Sequence, residues 1–260
     1  MQNSRTALVT GSSSGIGLAT AKALAASGVQ VMLHGLEEQA LGNPIALSLE
    51  QEFGVKARYC NADLSSPHAV EQLVEAALSH FGRIDILVNN AGIQHTAATR
   101  DFPVHKWDQV LAINLSAAFH ATRLLLPAME ASGWGRIINV ASVHGLVGSA
   151  NKSAYCAAKH GLVGLTKVVA LEQAANGITV NAICPGWTDT PILNNQLEAF
   201  AREHGVSLDE AKLGLLHTKT PYPSLIAPAA IGAMIVFMCS DAAAAITGAS
   251  WPIDGAWTAQ

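Results

Sequence analysis

The amino-acid sequence predicts an α/β fold in which one parallel sheet is covered by helices on both of its faces. Short apolar, β-branched segments alternate with helical segments along the chain, as is typical of doubly wound sheets with right-handed crossovers. The length of 260 residues suits one large domain, so we expect a single domain over 1–260. Neither an internal repeat nor a linker-like stretch divides it.

Composition and charge exclude several classes of function. The 15 Lys and Arg residues are scattered and the net charge is −4, so neither nucleic acid nor an anionic membrane is an expected partner. The 4 cysteines lack metal-ligand spacing, which predicts reduced thiols and no metal site. The most apolar segment, 226–239, is shorter than the roughly 20 residues of a membrane span. A strand pattern begins too early for a signal peptide, so we expect a cytoplasmic protein.

The first strand is expected over 6–10, where the chain is apolar and β-branched, and the first helix over 18–27. The loop between them carries Gly11, Gly15 and Gly17 in the spacing G-x-x-x-G-x-G. Glycines let the backbone approach a ligand closely, and the N–H groups at the start of the following helix suit a pyrophosphate. This arrangement favours nucleotide binding over a plain turn.

A second buried strand is expected over 29–33, and the residues after it should face the adenosine ribose of a bound dinucleotide. Leu36, Glu37 and Glu38 stand there, and the Asp that usually binds the ribose is missing. Because this stretch offers no Arg or Lys to a 2′-phosphate, and its two carboxylates would repel one, the sequence favours NAD over NADP.

The middle of the chain continues the alternation. The pattern predicts, in order, a break at Gly42-Asn43-Pro44, a helix to about Phe53, a strand over 55–60, a helix over 67–81, a strand over 84–88, a helix over 107–123 and a strand over 136–141. Asp63 follows the third strand and either accepts a hydrogen bond from adenine or caps a turn. Asn90 and Gly92 follow the fourth strand, either in a simple turn or at the edge where open α/β sheets bind ligands.

A candidate catalytic set lies at and beyond the fifth strand. Ser142 follows that strand and can hold a substrate oxygen, while Tyr155 and Lys159 share one face of an Ala-rich helix. A cation near a phenol favours the phenolate and brings its pKa of about 10 closer to neutral, as general acid–base catalysis requires. Asn114, between apolar neighbours on a helix, is either a structural polar node or a catalytic relay.

The last third of the chain completes the predicted sheet. The pattern predicts a strand over 178–183, a polar helical excursion over 188–223, a helix over 228–239 and a strand over 250–253. The excursion contains several prolines and is placed to cover a site. We therefore expect a single Rossmann-like doubly wound domain with a seven-stranded parallel sheet, helices on both faces and a helical substrate lid over about 188–223.

These motifs occur together in the order and approximate spacing of a known family. Gly11-x-x-x-Gly15-x-Gly17, Asn89-Asn90-Ala91-Gly92, Asn114, Ser142, Tyr155-x-x-x-Lys159 and Pro185-Gly186 resemble the short-chain dehydrogenase/reductase family over nearly the whole chain. The resemblance implies Tyr155 as general acid/base, supported by Lys159, Ser142 and Asn114. It also implies that NAD is held by Gly11, Ser13, Gly15, Ile16, Gly17, Leu36, Asp63, Leu64, Asn90, Ala91, Gly92, Tyr155, Lys159, Pro185, Gly186 and Thr190.

Stretches near these motifs are similar to family members that act on a small 3-hydroxy acid. The resemblance implies that the substrate carboxylate is bound by Gln94, His144, Lys152 and Gln196, and that its small apolar end is bounded by Trp187 and Trp257. Donors must match a carboxylate in an apolar cleft, and Lys152 lies three residues before Tyr155. The implied reaction is the NAD-dependent interconversion of (R)-3-hydroxybutyrate and acetoacetate. The resemblance also implies a homotetramer, and the charged fraction of only 13% agrees with buried subunit contacts.

Two alternatives stay open. One is a family member that acts on another alcohol or on a 3-oxoacyl thioester, and the other is a non-catalytic NAD-binding sensor. The sequence also departs from the family pattern at two places. Ala256 stands where a second Gly is frequent, and Leu36-Glu37-Glu38 replaces the usual Asp signature.

Overall fold

The computed structural model describes residues 4–259, so residues 1–3 and 260 of the predicted domain lie outside the described part of the chain. Within it, the seven strands are β1 (Thr6–Val9), β2 (Gln30–Gly35), β3 (Ala57–Asn61), β4 (Ile86–Asn89), β5 (Gly135–Val140), β6 (Ile178–Pro185) and β7 (Ser250–Ile253). They form one sheet in the order β3-β2-β1-β4-β5-β6-β7, and every neighbouring pair is parallel. The predicted seven-stranded parallel sheet is confirmed.

Helices cover both faces of the sheet, which confirms the doubly wound fold. In the described residues they are α1 (Gly15–Ala26), α2 (Gln39–Phe53), α3 (Pro67–Phe81), α4 (Val104–Leu111), α5 (Ala117–Ser132), α6 (Ser153–Gln173), α7 (Pro191–His204), α8 (Leu208–His217) and α9 (Pro228–Cys239). One apolar core lies between the sheet and α1, α2 and α9, and a second between the sheet and α3, α5 and α6. Burial on both faces explains why the central strands are nearly continuous apolar runs.

The direction of strand addition reverses between β1 and β4. Strands β2 and β3 extend the sheet to one side of β1, and β4 to β7 extend it to the other. At such a switch point the loops after the two central strands turn to opposite faces and leave a crevice at the carboxyl edge. The loop after β1 contains Gly11 and the segment after β4 begins with Asn90, so the topology brings two predicted ligand-binding motifs together.

The prediction that the chain breaks at Gly42-Asn43-Pro44 is wrong, because α2 begins at Gln39 and runs through these residues. Gly42 packs against Tyr59 so closely that a Cβ would overlap the ring. The Gln39 side chain donates hydrogen bonds to Asn43 Oδ1 at 2.7 Å and to the Tyr59 carbonyl at 2.6 Å. Packing on β3 therefore overrides the tendency of Gly and Pro to interrupt a helix.

A π-helical segment, Ala112–Ser116, joins α4 and α5 into one helical stretch of 29 residues, Val104–Ser132. By length and composition alone this stretch could cross a membrane, whereas the sequence indicated 226–239 as the most apolar segment. In the fold, α5 packs against α3 and buries Leu125 and Met129 in the core. A single core helix commonly meets the same criterion, so the stretch is weak support for a membrane span.

The predicted excursion over 188–223 is helical, as expected. It forms α7 and α8, which pack against each other, with the Phe200 ring in contact with Gly214. A capping box begins α8, because the Ser207 and Glu210 side chains each accept a hydrogen bond from the other residue's backbone N–H. The excursion lies beside the carboxyl edge of the sheet, and its role as a lid stays a prediction.

Candidate active site

A cavity of about 360 Å³ runs along the carboxyl edge of the sheet. It brings together predicted residues from seven separate parts of the chain. Its lining includes Gly11, Ser13, Gly15, Ile16, Leu36, Asp63, Leu64, Asn90, Ala91, Gly92, Gln94, Ser142, His144, Lys152, Tyr155, Lys159, Pro185, Gly186, Trp187, Thr190, Gln196 and Trp257. The predicted residues outside this lining are Gly17 and Asn114.

The glycine loop at the start of α1 is shaped by close backbone contacts. Gly11 and Gly15 have φ angles of +62° and +54°, which other residues adopt only with strain. A Cβ at Gly17 would overlap the carbonyl oxygen of Gly11, so Gly17 permits the tight turn rather than lining the cavity. The Asn90 side chain donates hydrogen bonds to the carbonyls of Thr10 at 2.9 Å and Gly11 at 2.8 Å, which fixes the loop.

Two acidic residues lie at the end of the cavity nearest β2 and β3. Glu37 accepts hydrogen bonds from the Ser13 hydroxyl at 2.8 Å and the Tyr59 hydroxyl at 3.2 Å. Burial opposes ionisation of Glu37, but its own backbone N–H and these two hydroxyls hold its pKa below the usual value. Asp63 accepts a hydrogen bond from the Ser65 N–H at 3.0 Å, which matches the turn expected as the alternative to adenine binding. Glu37 thus supplies a carboxylate after β2, where the sequence lacks the Asp that usually binds the ribose.

The candidate catalytic side chains meet at the centre of the cavity. Lys159 Nζ lies 5.7 Å from the Tyr155 ring centroid and donates a hydrogen bond to the Val140 carbonyl at 2.7 Å. Burial raises the pKa of the Tyr155 phenol to about 12, with the Ser142 hydroxyl acting in the opposite direction. The expectation of a net lowered pKa for this phenol is therefore wrong for the protein alone, because burial outweighs the stabilisation of the phenolate expected from Lys159. Burial also lowers the pKa of Lys159 to about 8.

Asn114 lies in the π-helical segment, behind the cavity rather than on its lining. Its side chain accepts a hydrogen bond from the Ile93 N–H at 2.8 Å and donates one to the Ile93 carbonyl at 2.9 Å. These two hydrogen bonds agree with the structural polar node that was one of the two expected roles, because both ends of the amide hold the segment after β4. The alternative role of Asn114 as a catalytic relay stays a prediction. A smaller cavity of about 10 Å³ touches Asn114, Asn89 and Thr10, and its volume matches about one water molecule.

A buried lysine marks the end of the cavity next to α7. Lys152 is 7% exposed, and its Nζ donates a hydrogen bond to Gln196 Oε1 at 2.8 Å. Its Nζ also lies 5.5 Å from the centre of the Trp187 ring, and burial lowers the pKa of Lys152. Asn151, directly before it, adopts a left-handed φ of +64° that turns the chain into α6. A buried cation without a carboxylate partner among the described ion pairs is costly, which is typical of a site for an anion.

Aromatic side chains close the same end of the cavity. The Trp187 and Trp257 ring centroids are 5.1 Å apart, and the His144 ring lies 5.4 Å from Trp257 and 6.0 Å from Tyr155. Burial, reinforced by Lys152, lowers the pKa of His144 to about 4, so this ring is neutral at pH 7. The result is a compact apolar wall beside the phenol, with one charged donor at its edge.

The turn that carries Trp257 is held by its own hydrogen bonds. Asp254 accepts them from the N–H of Ala256 at 3.0 Å and from the N–H of Thr258 at 2.8 Å. Ala256 has a φ of +71°, so the departure from glycine at this position leaves a strained residue in the turn. The Thr220 hydroxyl also donates to the Gly255 carbonyl, which ties the end of the excursion to this turn.

Several lining residues were missed from the sequence. Ile93, Ile192 and Leu193 line the cavity, and apolar residues in loops carry no signal that separates them from ordinary packing. His34 also lines it, and it was not among the predicted site residues. Its position at the end of the second strand was the signal that could have identified it.

Comparison with known proteins defines the class of this protein. A family model described as short chain dehydrogenase matches residues 5–200. The chain belongs to the short-chain dehydrogenase family, a class of oxidoreductases whose fold binds a nicotinamide cofactor, which confirms the resemblance found in the motifs.

Individual relatives of known activity are similar to this chain over nearly its full length. The chain is 52% identical over 260 residues to a D-beta-hydroxybutyrate dehydrogenase of Cupriavidus necator, with 100% of both chains covered. It is 42% identical to a D-beta-hydroxybutyrate dehydrogenase of Rhizobium meliloti, covering 98% of this chain and 99% of the relative. Among solved structures, the L-sorbose reductase from Gluconobacter frateurii, complexed with NADPH and L-sorbose, superposes with a TM-score of 0.94 at 30% identity and covers 99% and 98% of the two chains.

Proposed function

We propose that the protein is an NAD-dependent dehydrogenase that interconverts (R)-3-hydroxybutyrate and acetoacetate, with Tyr155 as general acid/base. The observation that carries this proposal is the pairing of Lys152 with Gln196 beside the wall formed by Trp187 and Trp257, next to the phenol. A charged donor at one side and a confined apolar wall at the other match a short substrate with one carboxylate. The relatives from Cupriavidus necator and Rhizobium meliloti, both named D-beta-hydroxybutyrate dehydrogenase, support it.

The chain's own residues fit a dinucleotide. The backbone of Gly11 and Gly15 and the N-terminus of α1 would hold the pyrophosphate, because the positive φ angles leave this loop open to close approach. Asn90, Gly92 and Lys159 line the central part of the same cavity. When bound, the nicotinamide supplies the carbon that takes the hydride from the alcohol or returns it to the ketone.

Tyr155 moves the proton in this proposal. In the oxidation direction its phenolate oxygen takes the substrate hydroxyl proton, and in reduction the phenol returns it. Ser142 donates a hydrogen bond to the carbonyl oxygen, and the ammonium of Lys159 stabilises the phenolate at the distance described above. Asn114 holds the segment after β4, and a water in the small cavity beside it would extend a path for the proton toward solvent.

Binding of the substrate orients the reacting carbon. The ammonium of Lys152 binds the carboxylate, to which Gln94, Gln196 and His144 also donate hydrogen bonds. Trp187 and Trp257 confine the methyl group. Two-point binding holds one face of the carbon toward the cofactor, as a stereospecific transfer requires. We also propose that the excursion over 188–223 acts as a lid, because Gln196 on α7 is bonded to Lys152 inside the cavity.

We propose NAD rather than NADP on the basis of Glu37. A 2′-phosphate beside this carboxylate would face a like charge without a Lys or Arg among the described lining residues at this end of the cavity. Replacing Glu37 with Gln is expected to raise the ratio of kcat/KM with NADP to that with NAD by about tenfold, a moderate value because the carboxylate is exposed. Steady-state kinetics with both cofactors at low ionic strength measure this ratio.

Glu38→Gln is the matched control. Glu38 is exposed and lies outside the cavity lining, so this substitution removes the same charge without changing the cavity. An equal change of the ratio in both variants would show a general charge effect. An unchanged ratio in the Glu37 variant would contradict the assignment of cofactor preference to this residue.

We further propose a cytoplasmic homotetramer. Phe119 on α5 and Val168 and Leu171 on α6 are 45%, 52% and 84% exposed. Large apolar side chains on neighbouring helices favour burial against other copies of the chain. The low charged fraction of 13% agrees with such contacts.

The reaction is tested by assaying purified protein with NADH and either acetoacetate or a 3-oxoacyl thioester. The proposal expects rapid NADH oxidation with the free acid and little with the thioester. The reverse order would favour a ketoacyl reductase, the name carried by a Streptomyces coelicolor relative at 36% identity. Tight NADH binding without turnover of any 3-hydroxy acid or ketone would instead favour a non-catalytic sensor.

A further inference from the structure

His34 has no role in the proposed reaction, although it lies between two walls of the cavity. It is the residue before the last of β2 and is 3% exposed. Its Nδ1 lies 3.0 Å from the Gly11 nitrogen and accepts a hydrogen bond from that N–H. Its Nε2 lies 3.0 Å from the Ala62 carbonyl oxygen, to which it donates. One imidazole ring therefore bridges the loop after β1 and the segment after β3.

These two partners determine the protonation of the ring. A backbone N–H requires an acceptor and a carbonyl requires a donor, so the ring is the neutral form with its proton on Nε2. A protonated ring would turn a donor toward the Gly11 N–H. Burial lowers the pKa of His34, against an opposing effect of the Ala62 carbonyl and of Glu37, which agrees with the neutral form.

The backbone of His34 is bonded to the same loop. The Ser12 N–H donates to the His34 carbonyl at 2.7 Å, and the His34 N–H donates to Ser12 Oγ at 2.9 Å. These bonds do not depend on the side chain of residue 34. The ring adds the contact at Gly11, where φ is +62°, and the contact at Ala62. A substitution of His34 therefore removes the bridge while the β2 backbone keeps its own contacts.

We propose that His34 is a positioning residue for the dinucleotide, because its ring fixes the distance between the glycine loop and the Ala62–Leu64 segment. Both walls line the cavity and would contact opposite sides of the adenosine and pyrophosphate. Backbone hydrogen bonds tie each segment to β2, from the Ser12 N–H to the His34 carbonyl and from the Ala62 N–H to the Gly35 carbonyl, and the His34 ring links the two segments to each other. Connecting segments are more mobile than the strands they follow, so this link restricts their relative motion. A bridge between them keeps the groove at one width before the cofactor enters, so less conformational freedom is lost on binding. The inference rests on the proposed dinucleotide function.

The test compares three substitutions that separate the two contacts. His34→Asn places an amide oxygen near the position of Nδ1, His34→Gln places an amide nitrogen near the position of Nε2, and His34→Ala removes both. The exposed His68 on α3 supplies the matched control, His68→Ala. NADH binding is measured by fluorescence titration, together with kcat and the KM for NAD and for the 3-hydroxy acid.

His34→Ala is expected to raise the dissociation constant of NADH and the KM for NAD by about tenfold, since the partly buried Gly11 N–H and Ala62 carbonyl each lose a partner. At saturating NAD, kcat and the KM for the hydroxy acid stay near their wild-type values. His34→Asn, which keeps the acceptor for Gly11, recovers part of the loss in affinity. His68→Ala matches the wild type in all of these measurements.

A purely structural His34 would give a different result. It would lower the melting temperature of the variants without changing the affinity for NADH, and that outcome would overturn the proposal. If His34→Ala fails to fold, His34→Asn and His34→Gln keep the test decisive, because equal wild-type affinity in both would also overturn it. Failure of the wild-type protein to bind NADH would contradict the proposed function instead.

Discussion

Replacing Tyr155 with Phe is expected to lower kcat in both directions by about 10²- to 10⁴-fold, the usual contribution of general acid–base catalysis. The substitution removes the hydroxyl that carries the proton and keeps the ring, whose centroid lies 6.0 Å from that of His144. The aromatic packing and the cofactor loop stay in place, so the affinity for NADH should not change. Stopped-flow or steady-state absorbance of NADH gives kcat, and fluorescence titration gives the affinity.

Tyr222→Phe is the matched control, because Tyr222 is 49% exposed and lies at the end of the excursion. It should retain wild-type turnover. A Tyr155→Phe protein that turns over normally would exclude the phenol as the acid/base, and one that loses NADH binding would show that the hydroxyl holds the cofactor and not only the proton.

The pH dependence follows from the same group. Burial raises the pKa of Tyr155 to about 12 in the free protein, so the neutral phenol dominates at pH 7. Oxidation consumes the phenolate, whose fraction grows as the pH rises toward this pKa, so oxidation should accelerate with pH. Reduction consumes the phenol, which stays the dominant form below the same pKa, so its rate should change little over that range. The residual activity of Tyr155→Phe should lose this dependence.

Most of the fold could be predicted because its elements are periodic in the sequence. Buried parallel strands are continuous apolar runs, and Pro67 and Pro228 mark the first residues of α3 and α9, where the structure begins them. The break predicted at Gly42 failed for the opposite reason. The space that Tyr59 occupies beside this glycine depends on β3, and a local pattern does not contain that contact.

The candidate site was predictable where one short motif supplies the chemistry. Tyr155 and Lys159 share a helix face by their spacing alone, and the glycine loop follows the first strand directly. The net pKa of the phenol was not predictable, because it depends on burial by the whole fold. The role of His34 depends on Gly11 and Ala62, which lie 23 and 28 residues away in the sequence and join it only in the sheet.

Replacing Lys152 with Ala or Met is expected to lower kcat/KM for acetoacetate by about 10²- to 10³-fold, since the substrate carboxylate would enter an apolar cleft without its cation. A neutral ketone of similar size, such as butanone, should lose little. Met retains most of the length and apolar volume of Lys, so the Met variant isolates the charge. Parallel kinetics on the acid and the ketone give the preference for the acid.

Lys22→Ala, on the exposed face of α1, is the control for a general loss of positive charge and should leave the preference unchanged. An intact preference for the acid in Lys152→Met would contradict the carboxylate assignment. Stability offers an independent check. Because Lys152 is a buried cation whose pKa burial lowers, Lys152→Met should keep or raise the melting temperature while activity falls. Such a result would show that Lys152 serves substrate binding and not the stability of the fold. If Lys152 were a structural residue, Lys152→Met would instead lower the melting temperature.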